Sequence, residues 1–269
     1  MALRPLLRAL PPRLRERVYY VWFHRHYARW PRLYEATPLA FCPNVSMYDL
    51  VPGDAISGSI AFTGFYELEL SEQLVRRART GGLLIDVGAN MGYFSLLWAG
   101  LSETTRVIAF EAAPRNVELF RRNVARNHFE DRVTLIAKAV GAEAGEAMFE
   151  IGPSNQTGWG GLSTNAATER VPVPIVALDD ELGDEHISVL KIDVEGAEAL
   201  VLRGSERLLR EQRVATLFVE ENSVRMQEHG VAPGDIQRLL REFGYETESF
   251  PNGWIAQPAN AAAALRGAA

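Results

Sequence analysis

One cysteine, Cys42, in 269 residues excludes an internal disulfide and a zinc cluster held by cysteines. Histidine is also scarce. His24 and His26 fall in a basic segment and His128 and His186 in connections, which leaves His229 as the one imidazole able to approach a site. No stretch of about twenty apolar residues occurs, so no membrane-crossing helix is expected. Arg4, Arg8, Arg13, Arg15 and Arg17 interrupt every apolar core that a secretory signal would need. These absences predict a cytoplasmic chain, unless its first segment rests on a membrane.

What is present begins with an uneven charge. Residues 1–33 hold eight arginines and one acid, Glu16, so against a net charge of −6 the remaining 236 residues carry −13. An acidic body disfavours a nucleic acid gripped through its phosphates. An apolar content of 47% suffices for a sizeable core, and a globular enzyme is the default expectation.

The densest signal is the stretch Asp86 to Ser95, DVGANMGYFS. Leu83, Leu84, Ile85 and Val87 read as a buried strand, Gly88 to Gly92 as a tight turn, and the apolar run after it as a helix. Glycine at 88 suits the turn, and glycine at 92 would let a ligand approach the main chain. The next apolar run, Arg106 to Glu111, ends in a carboxylate 25 positions after Asp86. An acid at the tip of the second strand is placed to accept both hydroxyls of a ribose. A dinucleotide fingerprint would need glycine at 90 and 93, where this chain has Asn90 and Tyr93. The pattern leaves room for a nucleoside without phosphates, whose amino acid end would be held by the turn and by Asp86. S-adenosyl-L-methionine (AdoMet) has that shape.

DVGANMGYFS, AFEAAP at 109–114 and LKIDVEGAE at 190–198 together resemble the FkbM-type family of AdoMet-dependent methyltransferases over about residues 60–257. The resemblance implies an α/β fold, a doubly wound seven-stranded and mostly parallel sheet whose last two strands form an antiparallel hairpin, preceded by an N-terminal extension. It implies that Asp193 lies beside the methionine of the cofactor and the acceptor, with Glu195 capping the helix that starts at Gly196. Tyr66 and Glu67, in TGFYELEL, match the family's pattern before the first helix. They either touch the methionine end or the acceptor, or simply start a helix with an acid.

The alternation of strand and helix agrees with that fold. Strands are expected near 83–87, 106–111, 133–140, 188–193, 215–220, 245–250 and 253–257, with the turn of the final hairpin at Pro251-Asn252-Gly253. Helices are expected near 67–79, 91–100, 114–127, 197–210 and 233–243. Residues 1–66 form a basic extension with entry strands, 67–257 the methyltransferase domain and 258–269 an alanine-rich tail. Residues 36–62 read as short strands and turns. The insertion at 141–187 is either a mobile lid anchored by Trp159 or a plain solvent loop.

The N-terminal stretch is amphipathic. Leu3, Leu6, Leu7 and Leu10 fall at helical spacing before Pro11-Pro12, and Leu14, Val18, Val21 and Trp22 resume it. Such a helix either packs its apolar stripe on the domain or a second subunit, or lies on anionic lipid with Tyr19, Tyr20, Trp22, Phe23 and Trp30 at the headgroup level.

Chemistry is expected where Lys191 interrupts an otherwise apolar strand. Lys191 and Asp193 share a face, Glu195 follows, and Asp86 and Glu220 arrive from neighbouring strands if the strand order is the usual one. Asp193 or Glu220 is expected as the base, and Lys191 and Glu195 complete the candidate catalytic set. The other reading is that Lys191 neutralises surplus acids in a fixed network. Asp193 with Glu220, Glu221 and Asn222 also has the oxygen chemistry of a magnesium site, although no metal is assigned. After the fourth strand the chain lacks the Asn/Asp-Pro-Pro-Tyr signature common in amide and adenine N-methyltransferases, so a hydroxyl of a small molecule, sugar or lipid-linked metabolite is the expected acceptor. A nicotinamide oxidoreductase and a non-enzymatic membrane-associated module are the competing functions.

Overall fold

The computed structural model describes residues 3–24, 30–163 and 169–260. His26, part of the insertion and residues 261–269 of the tail therefore lie outside the described residues. The chain opens with helices α1 (Leu3–Ala9) and α2 (Pro12–Val18), separated by Pro11-Pro12, and one π-helical turn at Tyr19–Phe23. A short α3 (Arg32–Glu35) leads to the antiparallel strands β1 (Ala36–Pro38) and β2 (Ser46–Tyr48). The turns expected up to residue 62 give way there to a nine-residue helix, α4 (Ala55–Thr63), buried over most of its length. Its start is fixed by the Asp54 carboxylate, which accepts the Ser57 N–H at 2.7 Å. Gly58 is tolerated inside it because a side chain there would meet the Tyr19 hydroxyl at 2.6 Å.

The stripe read from the N-terminal sequence does not pack as a unit. Leu7 and Tyr19 are buried, whereas Leu6, Leu14, Val21 and Trp22 face outward. Arg15 takes the buried place instead, and its guanidinium donates to the carbonyls of Thr63 at 2.6 Å, Arg8 at 2.6 Å and Leu10 at 3.1 Å. Three carbonyl acceptors offset the cost of enclosing the cation.

The main sheet and its helices follow in order: α5 (Leu68–Ala78), β3 (Gly82–Val87), α6 (Tyr93–Leu101), β4 (Thr105–Phe110), α7 (Pro114–Asn127) and β5 (Val133–Ile136). The insertion carries β6 (Ala139–Val140), β7 (Gly145–Glu150), β8 (Gly161–Leu162) and β9 (Arg170–Val176), then α8 (Leu178–Glu181). β10 (Val189–Ile192), α9 (Glu198–Arg203), α10 (Glu206–Arg210), β11 (Leu217–Glu220), α11 (Ser223–Met226), α12 (Asp235–Glu242), β12 (Tyr245–Phe250) and β13 (Gly253–Pro258) complete the fold.

Seven strands form one sheet in the order β12-β13-β11-β10-β3-β4-β5, parallel except for β13, which runs antiparallel to β11 and β12. Successive residues of β3 feed opposite cores. Leu84 joins the one under α5 and α6, while Leu83, Ile85 and Val87 join the one under α9 and α12. Leu7, Tyr19 and Met47 of the extension share the first of these cores with Trp98 and Leu84. The order reverses between β3 and β10, the switch point where open α/β sheets bind ligands.

Two expected elements divide. The run 133–140 splits at Ala137-Lys138, and its second half leaves the main sheet to pair with β9. The insertion is neither plain loop nor simple lid, since its strands build a second, four-stranded sheet in the order β6-β9-β7-β8. The helix expected over 197–210 breaks at Gly204-Ser205, where a Cβ on Gly204 would stand 2.0 Å from the Gly141 carbonyl.

Candidate active site

A cleft of about 740 Å³, counting its open mouth, lies over the carboxyl ends of β3, β4 and β10. Gly88, Asn90 and Glu111 form its floor, and Tyr66, Asp193, Glu195 and Glu220 stand at one end. Glu111 is buried, and its two carboxylate oxygens accept the N–H groups of Asn90 at 2.7 Å and Ala113 at 2.8 Å. Burial raises its pKa, and those two hydrogen bonds act against the rise. Asn90 holds a left-handed φ of 52°, which turns its N–H onto Glu111.

Gly88 serves the turn as expected, whereas Gly92 packs against Phe120 and does not line the cleft. Gly88, at φ 76°, lines the cleft, and a side chain there would strike the Asp193 carbonyl at 1.7 Å. Gly92, at φ 93°, is needed for packing, because its Cβ would meet the Phe120 ring at 2.8 Å.

Register explains the ionic cluster. Lys191 of β10 pairs with Asp86 of β3, so their side chains emerge on one face of adjacent strands. The Lys191 ammonium stands 3.5 Å from Asp86 Oδ1 and 3.3 Å from Asp193 Oδ2, donates to the Gly88 carbonyl at 3.2 Å, and lies 5.3 Å from the centre of the Phe94 ring. Burial alone would lower its pKa, but Asp193, Asp86, Glu67 and Glu220 more than offset that and raise it. Two carboxylates, a carbonyl and a ring thus hold this ammonium in place, with the adjoining hollow beside it. Asp86 is wholly enclosed and also accepts from Ser95 Oγ at 2.7 Å, so it bears on Lys191 rather than on the cleft.

Acids outnumber this one cation. Glu67, held at φ 42°, lines an adjoining hollow of about 310 Å³ with Asp193, Glu220 and Asn252, and hydrogen-bonds to Tyr66 and Asn252. Burial, then the charge of Asp193, pushes Glu67 up to about 7. Burial, then Asp193 and Glu67, pushes Glu220 up to about 9, and a hydrogen bond joins it to Asp193. Glu220 is therefore held toward its protonated form. Burial, then Glu67 and Asp193, raises the Tyr66 hydroxyl as well.

The resemblance implied that Glu195 caps the following helix, but among the described residues no side chain caps it; Glu198, its first residue, ties down the turn before it. Its Oε1 accepts the N–H groups of Gly196 at 2.9 Å and Val194 at 3.3 Å. Glu195, at φ 55°, instead lines the cleft and accepts from Asn222 Nδ2 at 2.8 Å. Glu221 turns away to the Trp254 indole N–H. Among the described residues no group of three His, Cys, Asp or Glu is disposed to hold a metal ion.

Sequence reasoning missed the wall that closes the cleft. Thr157 and Gly158 of the insertion line it in contact with Asn116 of α7 and Ile56 of α4. Asn116 Nδ2 donates to the Thr157 carbonyl at 2.9 Å, Asp54 Oδ1 accepts the Thr157 N–H at 2.8 Å, and Gln156 Nε2 donates to the Gly53 carbonyl at 3.1 Å. Asn116 Oδ1 and Thr157 Oγ1 are buried there without a partner, as expected of a wall that meets a polar ligand. Trp159 is exposed and does not line the cleft. Among the histidines, His229 Nε2 stands 3.1 Å from the Leu162 carbonyl, behind the cleft wall.

A parallel sheet with this switch point, a glycine turn facing a strand-end acid, and no phosphate-binding fingerprint define the class: a Rossmann-like methyltransferase. Residues 86–247 match the model of the methyltransferase FkbM domain, and the chain belongs to that family. It is 27% identical over 185 residues to the hexuronic acid methyltransferase AglP of Haloferax volcanii, covering 68% of this chain and 71% of that one. It is 30% identical over 201 residues to the 31-O-demethyl-FK506 methyltransferase FkbM of Streptomyces tacrolimicus, covering 62% of this chain and 74% of the relative. A crystal structure of methyltransferase FkbM from Methylobacillus flagellatus matches with 16% identity and a TM-score of 0.46, over 74% of this chain and 52% of that one. The chain thus spans about half the length of that structure.

Proposed function

We propose that this protein transfers the methyl group of AdoMet to a hydroxyl oxygen of a small-molecule, sugar or lipid-linked acceptor. The observation that carries the reading is the cleft itself, with a ribose-accepting carboxylate at one end and a surplus of acids at the other. Glu111 keeps lone pairs for two ribose hydroxyls beyond the two N–H bonds it already accepts. Gly88 and Asn90 bring main chain to the cofactor, and Asn116 and Thr157 offer the unpartnered polar atoms of the wall. Tyr66 and Glu67 border the methionine end. A sulfonium supplies an activated methyl group for in-line displacement, so positioning can account for much of the acceleration.

Asp193, Glu195 and Glu67 beside Lys191 favour a cationic ligand over a phosphate-bearing one. That argues against a nicotinamide dinucleotide, as does the Asn90 and Tyr93 pattern. For the proton of the acceptor hydroxyl, Asp193 is the base and Glu220, protonated and hydrogen-bonded to it, holds its carboxylate in place. The names of two relatives, a hexuronic acid methyltransferase and a 31-O-demethyl-FK506 methyltransferase, agree with an oxygen acceptor.

Thermal shift tests the cofactor: S-adenosylhomocysteine (AdoHcy) should stabilise the protein and NAD should not. Radiolabelled methyl transfer into a fractionated extract identifies the acceptor. With that acceptor, Asp193→Asn should lower turnover by roughly 10²–10⁴-fold while leaving AdoHcy affinity within a few-fold. Turnover within a few-fold of the parent would remove Asp193 as the base.

A further inference from the structure

The N-terminal helices carry a surface that the cleft does not use. Leu6, Leu14, Tyr20, Val21 and Trp22 are 67%, 46%, 55%, 66% and 71% exposed, a concentration of large apolar side chains within 17 positions. Arg13 and Arg17 stand exposed among them, and the one acid between residues 6 and 24 is the half-buried Glu16. The opposite face is fixed to the protein. Arg15 is tied to the Thr63 carbonyl, Tyr19 packs with its ring centre 5.8 Å from that of Phe62, and Leu7 is buried. The outward strip therefore cannot fold back onto the body by rolling the helices.

We propose that this strip docks on an anionic lipid bilayer. Tryptophan and tyrosine beside arginine is the composition that settles at the headgroup boundary, with the apolar parts buried and the guanidinium groups among the phosphates. Charge selects the orientation, because the rest of the chain is acidic and would be repelled. A symmetric pairing of two copies through this strip would set Arg13 and Arg17 of one against those of the other, which disfavours a second copy as the occupant. The strip lies beside elements that line the cleft. Tyr20 is electrostatically coupled to Tyr66 and Glu67, and α4, on which these helices rest, contributes Ile56 to the cleft wall. Resting on the proposed methyl-transfer reading, this placement selects an acceptor that is itself carried on a lipid.

Co-sedimentation of the full chain with vesicles tests the surface directly. Vesicles of equal parts phosphatidylcholine and phosphatidylglycerol should bind the protein, and phosphatidylcholine alone should bind it roughly tenfold or more weakly, as should raised salt. Val21→Ser with Trp22→Ser, and separately Arg13→Gln with Arg17→Gln, should each weaken binding to the mixed vesicles by a similar factor without shifting the melting temperature. No binding to the mixed vesicles overturns the proposal, and so does binding that ignores both double substitutions. A dimer in sedimentation equilibrium that Val21→Ser with Trp22→Ser dissolves also overturns it, in favour of a second copy. Stabilisation by AdoHcy is read on the same variants, so a failure of the cofactor reading is seen separately from a failure of the membrane surface.

Discussion

Glu220 shows how much of the site depends on where a single proton sits. A carboxyl held at about 9 in the folded protein, against an ordinary 4.5, binds more protons folded than unfolded. Its contribution to stability is complete below the ordinary value and is lost as pH rises through the folded one. Glu220→Gln removes that loss, since the amide never ionises. The variant should melt above the parent, with a gap that opens above about pH 5 and levels off above about pH 9, at roughly 2–4 °C per kcal/mol in a chain of this size. Calorimetric melts across that range check it, and a constant gap would show that the carboxyl stays ionised. At this scale the sequence was legible where a charge interrupted an apolar run, as Lys191 does. It was silent on Glu198, because its role depends on where the helix starts, and the left-handed turn at Glu195-Gly196 delays that start to Glu198, whose carboxylate then reaches back to the N–H groups of Gly196 and Val194.

Elements were legible in proportion to their apolar periodicity. The strands of the main sheet, buried on both faces, announce themselves as continuous runs such as Leu83 to Val87. Helix α4 does not, because Pro52, Gly53 and Gly58 read as breakers while the compensating contacts come from distant residues such as Tyr19. The N-terminal stripe misled for a related reason, as three carbonyls make a buried place for Arg15 that no hydrophobic pattern reveals. Asp54 joins two of these elements, capping α4 and holding the Thr157 N–H. Asp54→Ala should cost roughly 0.5–2 kcal/mol for the lost cap and free the wall of the cleft. Hydrogen exchange at residues 156–158 should accelerate and AdoHcy affinity should fall, whereas unchanged exchange there would show that the remaining ties, from Asn116 and Gln156 among them, hold the wall without Asp54.

Across the whole molecule, an acidic body with several carboxylates at one cleft makes a field that attracts cations. AdoMet carries a sulfonium charge and AdoHcy does not. Raising salt from about 0.02 to 0.5 M, which shortens the screening length several-fold, should slow AdoMet association while leaving AdoHcy nearly unaffected. Stopped-flow binding with both ligands measures the difference, and equal salt dependence would show that the field does not reach the entering ligand.

Within the small sheet, the excursion between Val140 and Val176 begins and ends on paired neighbours of parallel strands. The exit and entry points therefore lie only ~4.8 Å apart. An excursion whose ends already meet can be lengthened, shortened or exchanged without reshaping what it is attached to. The stretch of cleft wall that this sheet supplies, from Thr157 to Leu162, is thus built as a graftable cassette that can change while the strand ends beneath it stay as they are.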